Sequence, residues 1–164
     1  MKDFWDERYS QAEYVYGTEP NTYLTAHASL LRPGMHALAV ADGEGRNGVW
    51  LAQQGLDVLS VDQSAPGLDK ARALARQRGV SLRTEQADLF TWHWPTDAYD
   101  VVISIFAHFP PQERARMHRA MLTALRPGGL LILEAFTPKQ LDYKTGGPQS
   151  AAQLYTTAKL RQDF

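Results

Sequence analysis

The sequence predicts an α/β fold: a doubly wound, mainly parallel sheet with helices on both faces. Three observations carry that prediction. Short apolar runs bounded by turn residues alternate with stretches of helical periodicity. The runs are almost continuously hydrophobic, as in parallel strands buried on both faces. A glycine loop, Gly43-Glu44-Gly45-Arg46-Asn47-Gly48, follows the first run and opens a helix.

The first third predicts two helices, about Lys2 to Gln11 and Asn21 to Leu31. Asn21 is suited to cap the second, because its side-chain oxygen can accept from a free N–H of the first turn. Arg32-Pro33-Gly34 stops that helix. Strands are expected near Ala37–Ala41, Val58–Val61, Leu82–Gln86, Val101–Ile105 and Leu130–Phe136. Helices are expected between them at Val49–Gln54, Pro66–Arg78 and Pro111–Leu125. In the last, Met117, Met121, Leu122 and Leu125 recur on one face, while Arg114, Arg116 and Arg119 point elsewhere. The expected organisation is a single domain over 1–164. Residues 1–33 form a helical cap, 34–136 the α/β core, and 137–164 a loop with a C-terminal helix. The glycine loop, Asp62, Asp88 and Ile105–His108 then all fall at strand C-termini, where such sheets bind ligands.

Composition narrows the function classes. A chain of 164 residues with 44% apolar and 21% charged residues is most simply one domain with a real core. A net charge of −1 gives no reason to expect nucleic acid or an anionic membrane as partner. With no cysteine there is no disulfide framework, thiol nucleophile or cysteine–zinc site, which suits the cytoplasm. The charged, aromatic N-terminus is unlike a signal peptide, and no apolar stretch approaches the roughly 20 residues of a membrane span. His27, His36, His93 and His118 share no metal-ligand spacing, so no metal is expected.

The strand, glycine loop, helix, second strand and terminal acid Asp62 form a grip for an adenosine-containing cofactor. Gly43-x-Gly45-x-x-Gly48 matches the dinucleotide fingerprint literally. Three features argue against NAD. About 35 residues precede the first strand, no room remains for a substrate domain, and Asp88 follows the third strand where an acid can accept from an adenine amino group. A nucleoside triphosphate is disfavoured because the loop lacks the Lys-Ser/Thr pair of a phosphate cradle.

The chain resembles the class I S-adenosylmethionine-dependent methyltransferases. The resemblance runs from Phe4 to about Pro148. It rests on the glycine loop, Val61-Asp62, Ala87-Asp88-Leu89, Tyr99 to Ser104, and Leu125-Arg126-Pro127-Gly128-Gly129 before the fifth strand. Phe4-Trp5-Asp6-Glu7-Arg8-Tyr9, Tyr16 to Asn21 and Gly45-Arg46-Asn47 are similar to the small tellurite-resistance and thiopurine-type branch. Two departures stand out. Ala39 and Ala41 occupy the positions of the family's first acid and first glycine, and Asp42 carries an acid one step before Gly43. An alanine at 41 is compatible with the loop if its φ stays negative. Members of the family also continue into two more strands; this sequence stops about where the sixth would begin, so the sheet is expected to lack them, and an exposed fifth strand predicts pairing with another copy.

The resemblance implies S-adenosylmethionine as cofactor, S-adenosylhomocysteine as product and a small-molecule methyl acceptor, with a tellurite-like oxyanion or a thiol as the soft candidates. Gly43 and Gly45 would admit the methionine moiety, with Ala41, Asp42 and Asn47 beside them. Arg46 would pair with the methionine carboxylate, or simply begin a helix in solvent. Asp62, followed by Gln63, would hold the ribose hydroxyls, or cap a helix. Ala87, Asp88 and Leu89 would bracket the adenine, with Ser104 and Ile105 on the floor. Trp5 and Tyr16, with Tyr9 and Tyr14, form an aromatic set suited to a sulfonium or to core packing. His108 is the best-placed general base, while Gln140, Tyr143 and Gly146-Gly147-Pro148 fall on the acceptor side. The rival reading is a cofactor-binding member with weak or no catalysis; an NAD-dependent oxidoreductase ranks third.

Overall fold

A computed structural model describes residues 2–143 and 146–164. Its centre is one sheet of five parallel strands: β1 (His36–Val40), β2 (Asp57–Asp62), β3 (Arg83–Gln86), β4 (Tyr99–Ile105) and β5 (Leu125–Glu134). The spatial order is β3-β2-β1-β4-β5. It reverses between β1 and β4, so the crevice lies beyond the C-terminal ends of those two strands.

Side-chain alternation sends the strands into two cores. Leu38, Val40, Leu59, Val61 and Val102 face Met117 and Met121 of α5 (Pro111–Ala124). Ala37, Ala39, Val58, Val101, Ile103 and Ile132 face the other way, onto Leu24 of α2 (Thr22–Ala26) and Leu51 of α3 (Arg46–Gln53). On that same side α4 (Ala65–Gln77) packs Leu74 and Ala75 against Val49. Ala39 is fully buried in the second core, so the family's acid position here points into apolar packing.

All five expected strands are present, with shifted ends. β5 begins at Leu125, five residues early, because Leu125 pairs with Tyr99 before the ladder resumes at Val101 and Leu130. Arg126 to Gly129 occupies that irregularity, and Phe136 has left the sheet. Asn21 does cap α2, its Oδ1 accepting from the Leu24 N–H at 2.9 Å. The helix expected to reach Leu31 instead ends at Ala26, and a single 3-10 turn spans Ala28–Leu30. His27 N–H bonds the Leu24 carbonyl three residues back, which tightens the last turn. The N-terminal helix α1 (Lys2–Tyr9) stops two residues short of Gln11.

The N-terminal edge of the sheet carries a ladder of polar contacts. Arg126 meets Asp100 at 2.9 Å, Asp100 accepts the His36 backbone N–H at 2.8 Å, and His36 and Arg83 both meet Asp57. It ties all five strands at the end opposite the crevice, although each half-exposed pair is worth under ~1 kcal/mol. After β5 the chain forms α6 (Gln140–Tyr143) and a 3-10 turn (Ala151–Gln153). It then returns across α5 as α7 (Thr157–Asp163). Asp163 there accepts from Arg114 Nε at 2.6 Å and meets His118 Nδ1 at 2.8 Å. No described helix is long and apolar enough to cross a membrane.

Candidate active site

The glycine loop turns sharply out of β1. Ala41, Gly43 and Gly45 have φ of +51°, +57° and +83°, three left-handed residues within five. The condition set for Ala41 therefore fails: the alanine keeps the glycine-like conformation and carries about 1–2 kcal/mol of backbone strain. Gly45 has no room for a side chain because Ala71 of α4 presses on it. Gly43 lies beneath Tyr9, where a Cβ would stand 2.6 Å from the phenol oxygen.

Asp42 does not reach the crevice. Its carboxylate turns under the loop, accepting from Ser60 Oγ at 2.7 Å and from the Gly48 N–H at 3.2 Å. Burial raises its pKa to about 7, against the opposing pull of those two donors. Gly48 is glycine because any Cβ there would strike this carboxylate. The sequence expectation of Asp42 as a cofactor contact is thus corrected: Asp42 supports the loop from below.

Asp62 ends β2 and is buried, with one oxygen accepting from Gly43 N–H and the other from Ser64 N–H, both at 2.9 Å. Ser64, not Asp62, caps α4 through the Gly67 N–H. Burial raises the Asp62 pKa. The Gln63 N–H also bonds this carboxylate, whose remaining lone-pair capacity is open to another donor. Gln63 is half-buried, and its carbonyl accepts from Gln86 Nε2. The Ala87 N–H bonds the Asp62 carbonyl and so fixes the next turn beside it. Asp88 is exposed and folds its Oδ1 onto the Phe90 N–H, while Leu89 is buried in the α5-side core. Ser104 is fully buried on β4 and its hydroxyl has no partner. Ile105 packs toward the α2–α3 core, leaving its backbone at the crevice floor.

Three further expectations land differently. Asn47 Oδ1 accepts the Asn21 N–H at 2.9 Å, so it holds the N-terminal segment rather than a ligand. Arg46 Nη1 reaches the Glu19 carbonyl at 3.4 Å. Tyr16 is half-exposed, with the Arg8 guanidinium 5.5 Å from its ring. Trp5 is stacked on Tyr9 at 5.3 Å. Tyr9, only 7% exposed, is the residue over Gly43, and burial, then the charge of Asp62, raises its pKa. Glu44 and Glu134 were not singled out, yet both bond the N-terminal segment: Glu44 Oε2 takes the Val15 N–H, and Glu134 Oε2 takes Asn21 Nδ2. Their partners lie 29 and 113 residues away, so no local pattern exposes them.

His108 is locked. Nδ1 lies 3.1 Å from the Phe106 carbonyl and Nε2 accepts the Phe136 N–H at 2.9 Å, which fixes a neutral ring with its proton on Nδ1. Burial lowers its pKa. The ring is stacked on Phe136, which is stacked on Phe106. Neither nitrogen is free to take a proton from an acceptor, which corrects the general-base expectation. Gln140 is buried and donates to the Gly146 carbonyl at 2.7 Å, Gly147 packs against the Phe136 ring, and Tyr143 is exposed. Among the described residues no three His, Cys, Asp or Glu side chains gather as a metal site.

Comparison with known proteins agrees with this geometry. A methyltransferase-domain family matches residues 37–129. A thiopurine S-methyltransferase of Pseudomonas paraeruginosa is 32% identical, over 99% of this chain and 81% of that protein. A glycine/sarcosine N-methyltransferase of Halorhodospira halochloris is 37% identical over 63% of this chain, which spans only 40% of that protein's length. Among solved structures, a methyltransferase from Geobacter sulfurreducens in complex with S-adenosylhomocysteine superposes with a TM-score of 0.64. It is 22% identical, over 76% of this chain and 52% of that one. The parallel sheet is thus a shared fold, and the chain belongs to the class I S-adenosylmethionine-dependent methyltransferases.

Proposed function

We propose that the protein transfers a methyl group from S-adenosylmethionine to a small-molecule acceptor bearing a soft nucleophile, a thiol or a tellurite-like oxyanion. The observation that carries this reading is Asp62. It is a buried acid at the end of β2, beside the glycine loop, with acceptor capacity left beyond its backbone N–H partners. Asp62 would hold the ribose hydroxyls, the backbone at Gly43 to Gly45 the methionine moiety, and the Ala87–Leu89 turn the adenine. The unpartnered Ser104 hydroxyl supports a ligand at this crevice. When bound, the cofactor supplies an already activated methyl group, so the protein's task is orientation, worth up to roughly 7–11 kcal/mol.

The locked His108 favours an acceptor that needs no base. A thiol with a pKa near 8.5 is already a few per cent thiolate at neutral pH and strongly nucleophilic, unlike a hydroxyl. The thiopurine S-methyltransferase relatives are compatible with that choice. The same reading places the protein in the cytoplasm without a metal. It gives β5 a second copy of the chain as partner, because Leu130–Leu133 carries no charge to blunt edge pairing. A strictly monomeric mass in sedimentation would refute that partner.

Titration calorimetry with S-adenosylmethionine, S-adenosylhomocysteine and NAD tests the cofactor. Binding of the first two and not the third is expected, and failure of both sinks the assignment. Methyl transfer is then followed with thiol, oxyanion and amine acceptors. Transfer to a thiol or oxyanion supports the proposal, whereas binding with no transfer across the panel supports a cofactor-binding protein without catalysis.

A further inference from the structure

The N-terminal segment is fastened to the glycine loop at two points. At the first, Glu44 is 4% exposed and accepts both the Val15 N–H at 2.8 Å and Lys70 Nζ at 2.7 Å. Lys70 also donates to the Glu13 carbonyl at 2.7 Å, and the Tyr14 hydroxyl donates to the Lys70 carbonyl. At the second, buried Asn47 accepts the Asn21 N–H, and Asn21 donates from Nδ2 to Glu134 at the end of β5. Glu44 and Asn47 lie within the loop motif, yet both side chains turn away from a ligand to grip backbone N–H groups of residues 13–21. Between them, Tyr9 lies over Gly43 and Gly67.

We infer that Glu44 and Asn47 are positioning residues that staple residues 13–21 onto the glycine loop, so that strap and cofactor cleft close as one unit. The argument is one of electrostatics and economy. A carboxylate this deeply buried is stable only when fully paired, and Glu44 spends its pairing on the strap and on the lysine that also holds the strap. The strap itself contributes little apolar burial: Tyr16 and Glu19 are exposed, and Tyr14 and Val15 are half-buried. Its position therefore depends on these polar contacts. The coupling to the cofactor rests on the proposed function; the stapling does not.

Hydrogen exchange on the full chain separates the two. In the wild type the Val15 and Asn21 amides are expected to be protected without ligand, and S-adenosylhomocysteine to slow exchange across 13–21 further. Glu44→Ala should speed Val15 exchange by 10-fold or more while the β1 amides keep their protection, and Glu44→Gln, which retains one acceptor, should fall between. Asn47→Leu, which leaves the Lys70 pair intact, should act on Asn21 and serves if Glu44→Ala does not fold. Each variant should weaken S-adenosylhomocysteine about 10-fold and leave kcat within about 3-fold at saturating cofactor. Unchanged Val15 and Asn21 exchange in folded variants overturns the staple. Faster strap exchange with unchanged affinity overturns the coupling. A wild type that binds no S-adenosylhomocysteine but shows the expected exchange pattern removes the proposed function and the coupling while the staple stands.

Discussion

Asp42→Asn isolates the consequence of turning an acid under the loop instead of toward the ligand. The folded protein holds the Asp42 proton to about pH 7, because burial disfavours the carboxylate, whereas the unfolded chain releases it near 3.8. Between those values the folded state binds more protons, so this group makes stability fall as pH rises from about 4 to about 7, and nothing further is lost above that window. At about 1.4 kcal/mol per pH unit the whole window corresponds to on the order of 4 kcal/mol. Asparagine removes the charge and keeps one acceptor for the Gly48 N–H, while the Ser60 hydroxyl can rotate to accept from the new amide. The variant should therefore gain on the wild type steadily from pH 5 to pH 7, by a few kcal/mol in urea unfolding, and the gap should then level. S-adenosylhomocysteine affinity should change by less than about 3-fold, since the side chain faces away from the cleft. A folded Asp42→Asn protein that binds the cofactor 100-fold more weakly would refute the inward-facing assignment. A stability gap independent of pH would refute the assigned burial cost.

Three other outcomes follow from the same geometry. Ala41→Gly relieves about 1–2 kcal/mol of left-handed strain and returns about 0.5–1 as lost chain entropy. Chemical denaturation should show a small gain and Ala41→Val a clear loss; a valine variant as stable as the wild type defeats the strain argument. His108→Gln retains a donor and an acceptor for the Phe106 and Phe136 backbones, so kcat should stay within about 10-fold and the pH–rate profile should lack a limb that disappears in the variant. A loss beyond 100-fold in a folded variant would restore His108 as a base. Asp163→Ala strands the nearly buried Arg114 and buried His118, costing about 3 kcal/mol or detaching α7. The Arg114 guanidinium, then His118, holds the Asp163 pKa below the ordinary value, so that contribution is present above about pH 4 and lost as pH falls through the folded value. Burial lowers the His118 pKa, and a neutral buried His118 adds an acid-side loss beginning below about pH 6.5. Acid should therefore release α7 first; an amide-exchange map with 157–163 protected at pH 5 as at pH 8 contradicts this.

Strands β1, β2, β4 and β5 were legible because buried parallel strands leave apolar runs, which the flanking Gly, Pro and Asp punctuate, whereas the strand order, with its reversal between β1 and β4, is set by pairing that no run encodes. Asp62 was legible for a related reason: the last residue of a strand has its position set by the ladder, and β2 pairs in register to its end. The loop was legible only as spacing. Whether Asp42 points up or down depends on the φ of Ala41, and one left-handed residue redirects the next side chain. Glu44 escaped, and Asn47 was given the wrong role, because their partners are backbone N–H groups 29 and 26 residues earlier, which no periodicity encodes. His108 was placed correctly just past β4, but Phe136, the partner that takes its Nε2, meets it only once β5 is aligned beside β4.

Strain and charge divide the sheet between its two ends. The N-terminal edge is held by ion pairs and hydrogen bonds of the strands themselves, with His36 and Asp100 at its centre. Among the described residues, the C-terminal edge carries two of the three non-glycine left-handed ones, Ala41 just past β1 and Phe106 just past β4, next to the two strands that flank the crevice. Each such residue survives because its surroundings over-determine it: Phe106 N–H bonds the Glu134 carbonyl at 2.7 Å and its ring stacks on Phe136, while Asp42 is anchored to Ser60 immediately after Ala41. One of the neighbours that over-determine Phe106, Phe136, also locks His108. The neighbour that over-determines Ala41 is the acid that supports the glycine loop. Relaxing either turn would therefore disturb the cleft before it disturbed the core, so Ala41→Gly should alter cofactor affinity more than its small effect on unfolding implies.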